Sequence, residues 1–210
     1  MPPRPARAAV ASAALAGAAL GGACAAAGKQ PWSETSPPQA LVEVLPSDAE
    51  LWVDGVLAGR GARTIAVPDP EHVYVLRAAA PGFAPAERAG EGARLAGARV
   101  GIVLRPEAFG TARRLEIDEP AGLAAAGAAL LRAGRAREAV EYEVRAAQLA
   151  PEEPGPHRLL ADAYLAAGDR PRAAREYDAY LRLAADAPDR DEVERAVQDL
   201  RGDVRTQGGR

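Results

Sequence analysis

His72, His157 and Cys24 are the side chains of this chain best suited to metal binding, proton transfer at neutral pH or nucleophilic attack. They are its two histidines and its one cysteine. The histidines fall in segments of different periodicity, and no third ligand accompanies either at metal spacing. Cys24 closes an apolar N-terminal run, so a Cys–His pair is not available to the rest of the chain. Paired carboxylates occur at Glu152-Glu153 and Asp191-Glu192, where they read as solvated helix-end charges. The glycines sit in turns and match no phosphate-cradling spacing before a helix. These patterns argue against an enzyme and against any cofactor or metal. His72 is expected to open a strand and His157 to pack at a helix interface.

The elements that carry these residues follow from composition and period. Of 210 residues 48% are hydrophobic but only 4% aromatic, so much of any core is alanine. The net charge of -3, with both signs interspersed, gives no field suited to nucleic acid. At the N-terminus Arg4 and Arg7 precede an uncharged run from Ala8 to Leu20, followed by Gly21, Gly22, Ala23 and Cys24. A positive start, an apolar stretch and small residues before a cut site make a secretory signal. The cysteine at that junction makes the segment resemble a bacterial lipoprotein signal, which implies lipid attachment at Cys24 and a membrane-anchored, exported protein. Cleavage after Ala25, giving a soluble periplasmic or secreted protein, and an uncleaved anchor fit the same run. Residues 1–23 are expected as signal and 24–39, rich in proline and polar residues around Trp32, as linker.

From Ala40 the period becomes two. Leu41, Glu43 and Leu45 alternate with Val42 and Val44, a strand with a mixed face. Asp54-Gly55 between Trp52-Val53 and Val56-Leu57 predicts a two-residue hairpin turn. Further strands are expected over residues 63–67, 72–79, with Tyr74, Leu76 and Ala78 on one face, and 98–104. The Pro46-Ser47-Asp48-Ala49 turn, the Val53-Asp54-Gly55 turn, and Tyr74-Val75-Leu76-Arg77 leading to Pro81-Gly82-Phe83 resemble the PEGA domain, an extracytoplasmic β module. That resemblance spans residues 40–106 and implies a small antiparallel sandwich and an envelope location.

The C-terminal half superimposes on itself when slid by 34 residues: Gly127 falls on Ala161, Leu130 on Tyr164, Gly134 on Gly168, Ala139 on Ala173 and Leu149 on Leu183. These intervals resemble the tetratricopeptide repeat (TPR). Two repeats are expected, 120–153 and 154–187, within a helical region spanning 119–187 after a connector at 107–118. A capping helix at 188–203 carries Val193, Ala196, Val197 and Leu200 as one stripe, and 204–210 should fray. Two positions depart from the repeat: His157 and Glu143 stand where bulky apolar residues are usual, with Tyr142 beside Glu143 as an alternative filler.

The expected fold class is α+β, in two domains: a small antiparallel β-sandwich, PEGA-like, then a TPR hairpin array with its cap. Stacked helical hairpins present surfaces rather than perform chemistry. The expected function is therefore a non-enzymatic cell-envelope scaffold binding a protein or peptide. The TPR resemblance implies the first-helix face as the binding strip, bearing Leu131, Arg132, Arg158, Asp162 and Leu165. A cell-wall or glycan-binding role for the β domain is the alternative, which an exposed Trp52 or Trp32 would favour.

Overall fold

The computed structural model describes residues 36–107 and 116–207. The signal segment, Cys24 and Trp32 lie outside those residues, as do 108–115 of the connector and the last three positions.

The period of two becomes strand β1 (Gln39–Leu45), which sends Ala40, Val42 and Val44 into the core and turns Glu43 and Leu45 to the other side. Strands β2 (Glu50–Val53) and β3 (Val56–Arg60) form the expected hairpin, with Val53 opposite Val56. Asp54 and Gly55 both take positive φ, 50° and 77°, the turn whose twist matches that of the strands. Asp54 is held there by its neighbours: one oxygen accepts from the Val75 amide at 2.8 Å and the other meets His72 Nε2 at 2.9 Å. The amide bond is the main reason its carboxyl is held below the usual range. A Cβ on Gly55 would meet nothing within 4 Å, so a substitution there costs backbone strain alone. Gly55→Val should therefore lower stability by about 1–3 kcal/mol in urea unfolding, and an unchanged midpoint would contradict the turn.

The chain continues through β4 (Arg63–Ala66), β5 (Val73–Ala79), β6 (Phe83–Ala84), β7 (Ala86–Glu91), a single turn α1 (Gly92–Leu95), β8 (Arg99–Val103) and β9 (Arg105–Pro106). Two principal sheets form, in the orders β4-β1-β8 and β3-β2-β5-β7, and β6 pairs with β9. All pairs are antiparallel except β1 with β8, which run parallel with Val42 beside Val100 and Leu45 beside Val103. On β5 the inward residues are Tyr74, Leu76 and Ala78, as the sequence predicts.

Five helices follow: α2 (Pro120–Arg132), α3 (Ala136–Leu149), α4 (Pro154–Ala166), α5 (Arg170–Leu183) and α6 (Arg190–Gln207). Helix α4 begins 34 residues after α2, and α5 34 after α3. The two hairpins close alike. After α2 the Arg135 amide reaches the Leu130 carbonyl and the Gly134 amide that of Leu131; after α4, Asp169 and Gly168 repeat this with Tyr164 and Leu165. Asp169 then caps α5, accepting from the Arg172 amide at 3.1 Å. The fold is thus α+β, β-sheets followed by a TPR-like helical region.

A two-hairpin array is short of the number that usually stands alone. Here both of its ends are covered. Helix α6 lays Val193, Val197 and Leu200 onto Tyr177 and Tyr180 of α5. At the other end the β region and the first hairpin share one core, in which Val42, Leu51, Leu76 and Leu104 meet Leu123, Leu130 and Tyr142. Tyr142 joins the two regions directly. Its hydroxyl donates to the Leu104 carbonyl at 2.5 Å, lies 3.3 Å from the Leu45 carbonyl, and its ring stacks on Phe83 at 6.1 Å. Arg135 closes the stack, 4.5 Å over the Phe83 ring.

Candidate functional site

The residues expected on the first-helix strip have different fates. Arg158 and Asp162 are one turn apart on α4 and ion-paired at 2.6 Å. Arg158 also reaches Asp189, between α5 and α6, at 3.1 Å and lies 5.2 Å over the Tyr177 ring. Tyr177 donates its hydroxyl to Asp162 at 2.6 Å, and Tyr180 donates to Asp189. Burial first, then the bond to Asp162, raises the Tyr177 pKa, while the bond from Tyr180 is the main cause of the lowered Asp189 pKa. These groups tie α4 to α5 and to the start of α6. Arg132 is exposed, Leu165 is 39% exposed, and Leu131 packs partly into the shared core. Of the five, the structure brings Arg158 and Asp162 together, inside a network rather than on an open strip.

His157 packs between helices: Nδ1 meets Glu176 at 2.8 Å and Nε2 the Pro151 carbonyl at 3.1 Å. No group of three or more His, Cys, Asp or Glu among the described residues is placed to hold a metal. No described helix is long and apolar enough to cross a membrane.

Glu143 is the one fully buried charged residue among the described positions, and neither carboxyl oxygen has a hydrogen-bond partner. It occupies the level that Tyr177 fills one repeat later. Tyr142 does not substitute for it, because Tyr142 turns into the β region. A Cβ on Gly127 of α2 would collide with this carboxyl as it is placed; the second repeat has Ala161 there, opposite Tyr177. Burial, and secondarily the negative charge of Asp162, push the Glu143 pKa up to about 9.

A concave feature lies on the second-helix side. The outer face of β1 and β8 and one face of α3 enclose a cleft of about 630 Å³. Leu45 and Val103 line one wall and Val140 and Val144 the other, and Tyr164 also lines the cleft. The mouth carries Glu43, Arg99, Glu141, Arg145, Arg172 and Gln148. Ser47 holds the walls together: its amide donates to one Glu141 oxygen at 2.6 Å and its hydroxyl to the other at 2.8 Å. Glu43 faces Arg99 at 3.8 Å. Arg172 lies 3.3 Å from Asp169 and 5.6 Å over the Tyr164 ring.

Sequence reasoning did not single out these residues, but two signals for the cleft were present. Leu45 gives β1 an apolar residue on its second face. Val140 and Val144 give α3 apolar residues beyond Ala139, Tyr142 and Ala146, which fill its buried stripe.

No protein-family model matches the chain, and no curated protein matches it. Among solved structures it is similar to PcrH, in the crystal structure of PcrH in complex with the chaperone binding region of PopD. That similarity has 21% identity and a TM-score of 0.37, over 47% of this chain and 75% of that one.

Proposed function

We propose that this chain is a non-enzymatic protein–protein interaction scaffold of a bacterial cell envelope. In this reading it is exported, anchored by lipid at Cys24, and holds a protein or peptide partner near a membrane through its PEGA-like and TPR-like regions, with no cofactor. The observation that carries the binding part is the cleft, apolar along both walls and charged at its mouth, which both regions build together. Export and lipidation are carried by the N-terminal sequence alone. The first-helix strip offers a second, shallower surface through Arg132 and Leu165.

The alternative, glycan binding by the β region, needs an aromatic platform open to a sugar ring. Trp52 is half-buried, and Arg77 lies 5.7 Å over its ring.

The test uses the full-length protein in detergent-solubilised envelope. Mass spectrometry should find an acylated Cys24 at the mature N-terminus, and Cys24→Ala should move the protein to the soluble fraction. A free N-terminus at Ala26 would overturn the anchor. A partner should co-purify with wild type and with Trp52→Ala alike. Capture lost with Trp52→Ala, or competed away by wall oligosaccharides, would favour the glycan reading instead.

A further inference from the structure

We infer that the cleft between β1/β8 and α3 takes an extended peptide segment whose side chains alternate between apolar and acidic. This rests on the reading of the chain as a protein-binding module and assigns the site and the chemistry of its ligand.

The shape argues for an extended chain. The cleft runs between the outer face of a strand pair and one face of a helix, with Leu45 and Val103 on one side and Val140 and Val144 on the other. The Ser47–Glu141 bonds hold the walls together against widening. An extended strand sends alternate side chains to opposite sides, so one row, apolar, can turn inward between Leu45, Val103, Val140 and Val144 while the other, acidic, turns outward to the charged mouth.

Gly101 supports close approach. It lies within β8, beside Glu43 on the cleft face, and a Cβ there would meet nothing within 4 Å. Glycine inside a strand weakens the strand and often marks a place where a ligand or another backbone comes close.

The charge argues for acidic side chains. The chain as a whole is acidic, at -3, yet the cleft mouth carries three guanidinium groups against two carboxylates. Both carboxylates are engaged, Glu141 by Ser47 and Glu43 by Arg99. Arg145 is exposed, and its guanidinium has no ion pair or hydrogen bond among the described residues. Among the described residues Arg172 is ion-paired only with Asp169, at 3.3 Å with the arginine 57% exposed. A ligand carboxylate beside Arg145 and Arg172 would gain charge-assisted hydrogen bonds.

The experiment uses the full chain and three fluorescein-labelled peptides that alternate valine with aspartate, with serine or with lysine. The expected order of affinity in fluorescence anisotropy is aspartate over serine over lysine, with binding of the aspartate peptide weakening as salt rises. Gly101→Ile fills the cleft from within, and Arg145→Glu reverses its free cation. Each should weaken the aspartate peptide by tenfold or more while far-UV circular dichroism stays unchanged and the melting temperature does not fall. Serine or lysine peptides binding as well as aspartate, with loss on Gly101→Ile but not on Arg145→Glu, would keep the cleft and overturn the acidic assignment. Binding indifferent to Gly101→Ile and lost on Arg132→Glu would move the site to the first-helix strip and overturn the inference, while leaving the scaffold reading in place. No binding by any of the three peptides, with a partner still captured from envelope, would overturn the assignment of the cleft.

Discussion

Glu143→Met is expected to stabilise the protein by about 3 kcal/mol at pH 7 and to flatten its stability between pH 5 and 9. The wild-type carboxyl is fully buried against Gly127 with neither oxygen hydrogen-bonded. Its pKa is raised from 4.5 to about 9 on folding. The sign follows from proton counts. Below the unfolded value both states hold the proton, and the full stability is present. Between the two values the unfolded chain releases the proton and the folded chain keeps it. Stability then falls by about 1.4 kcal/mol per pH unit. Once the folded carboxyl itself ionises the slope ends. Methionine fills a similar space without a charge to desolvate, so the variant lacks this slope. Urea unfolding at a series of pH values measures it, and parallel profiles for wild type and variant would show that Glu143 is not a buried acid. At the acid end the trend reverses for another reason. Asp54 and Asp189, whose carboxyls are held low, protonate and release the contacts that lower them.

Tyr142→Ala should cost about 3–5 kcal/mol, as removal of a buried ring does. Two carbonyls, of Leu45 and Leu104, lose their shared donor, and Phe83 loses its stacking partner. Tyr142→Phe keeps the ring and should cost about 1–2 kcal/mol. Because the β region and the first hairpin share one core, Trp52 fluorescence and helical circular dichroism should shift together in both variants. A helical transition that moves while the Trp52 signal stays put would mean that the two regions are energetically separate.

What the sequence made legible was local. Asp54-Gly55 specified its turn because the φ values a tight hairpin needs belong to few residue types. The helix pairs were readable because 34-residue spacing of small residues and turn glycines repeats in the helices themselves. Strand β7, Ala86–Glu91, was not found, because its residues are mostly exposed and carry little apolar alternation. The parallel pairing of β1 with β8 joins strands far apart in sequence, and no turn signal records it. Tyr142 and Glu143 show the limit at single residues. Both lie in a readable helix, but which fills the repeat and which leaves it depends on the β region alongside. Arg158 likewise reads as a surface cation until Asp189 arrives from the connection before α6.

Ribosomes deliver the chain from its N-terminus, so the strands emerge before Tyr142 has been made. Until α3 follows, the Leu104 carbonyl lacks the Tyr142 hydroxyl, and the core face that meets Leu123 and Leu130 has nothing to close against. The β region therefore reaches its final packing only after about two-thirds of the chain has been synthesised, an order opposite to N-terminal units that fold first. Under the export reading proposed above, that delay keeps the leading part loose while it threads through a translocation channel. Completion of α3 then draws strands and helices together in one late step.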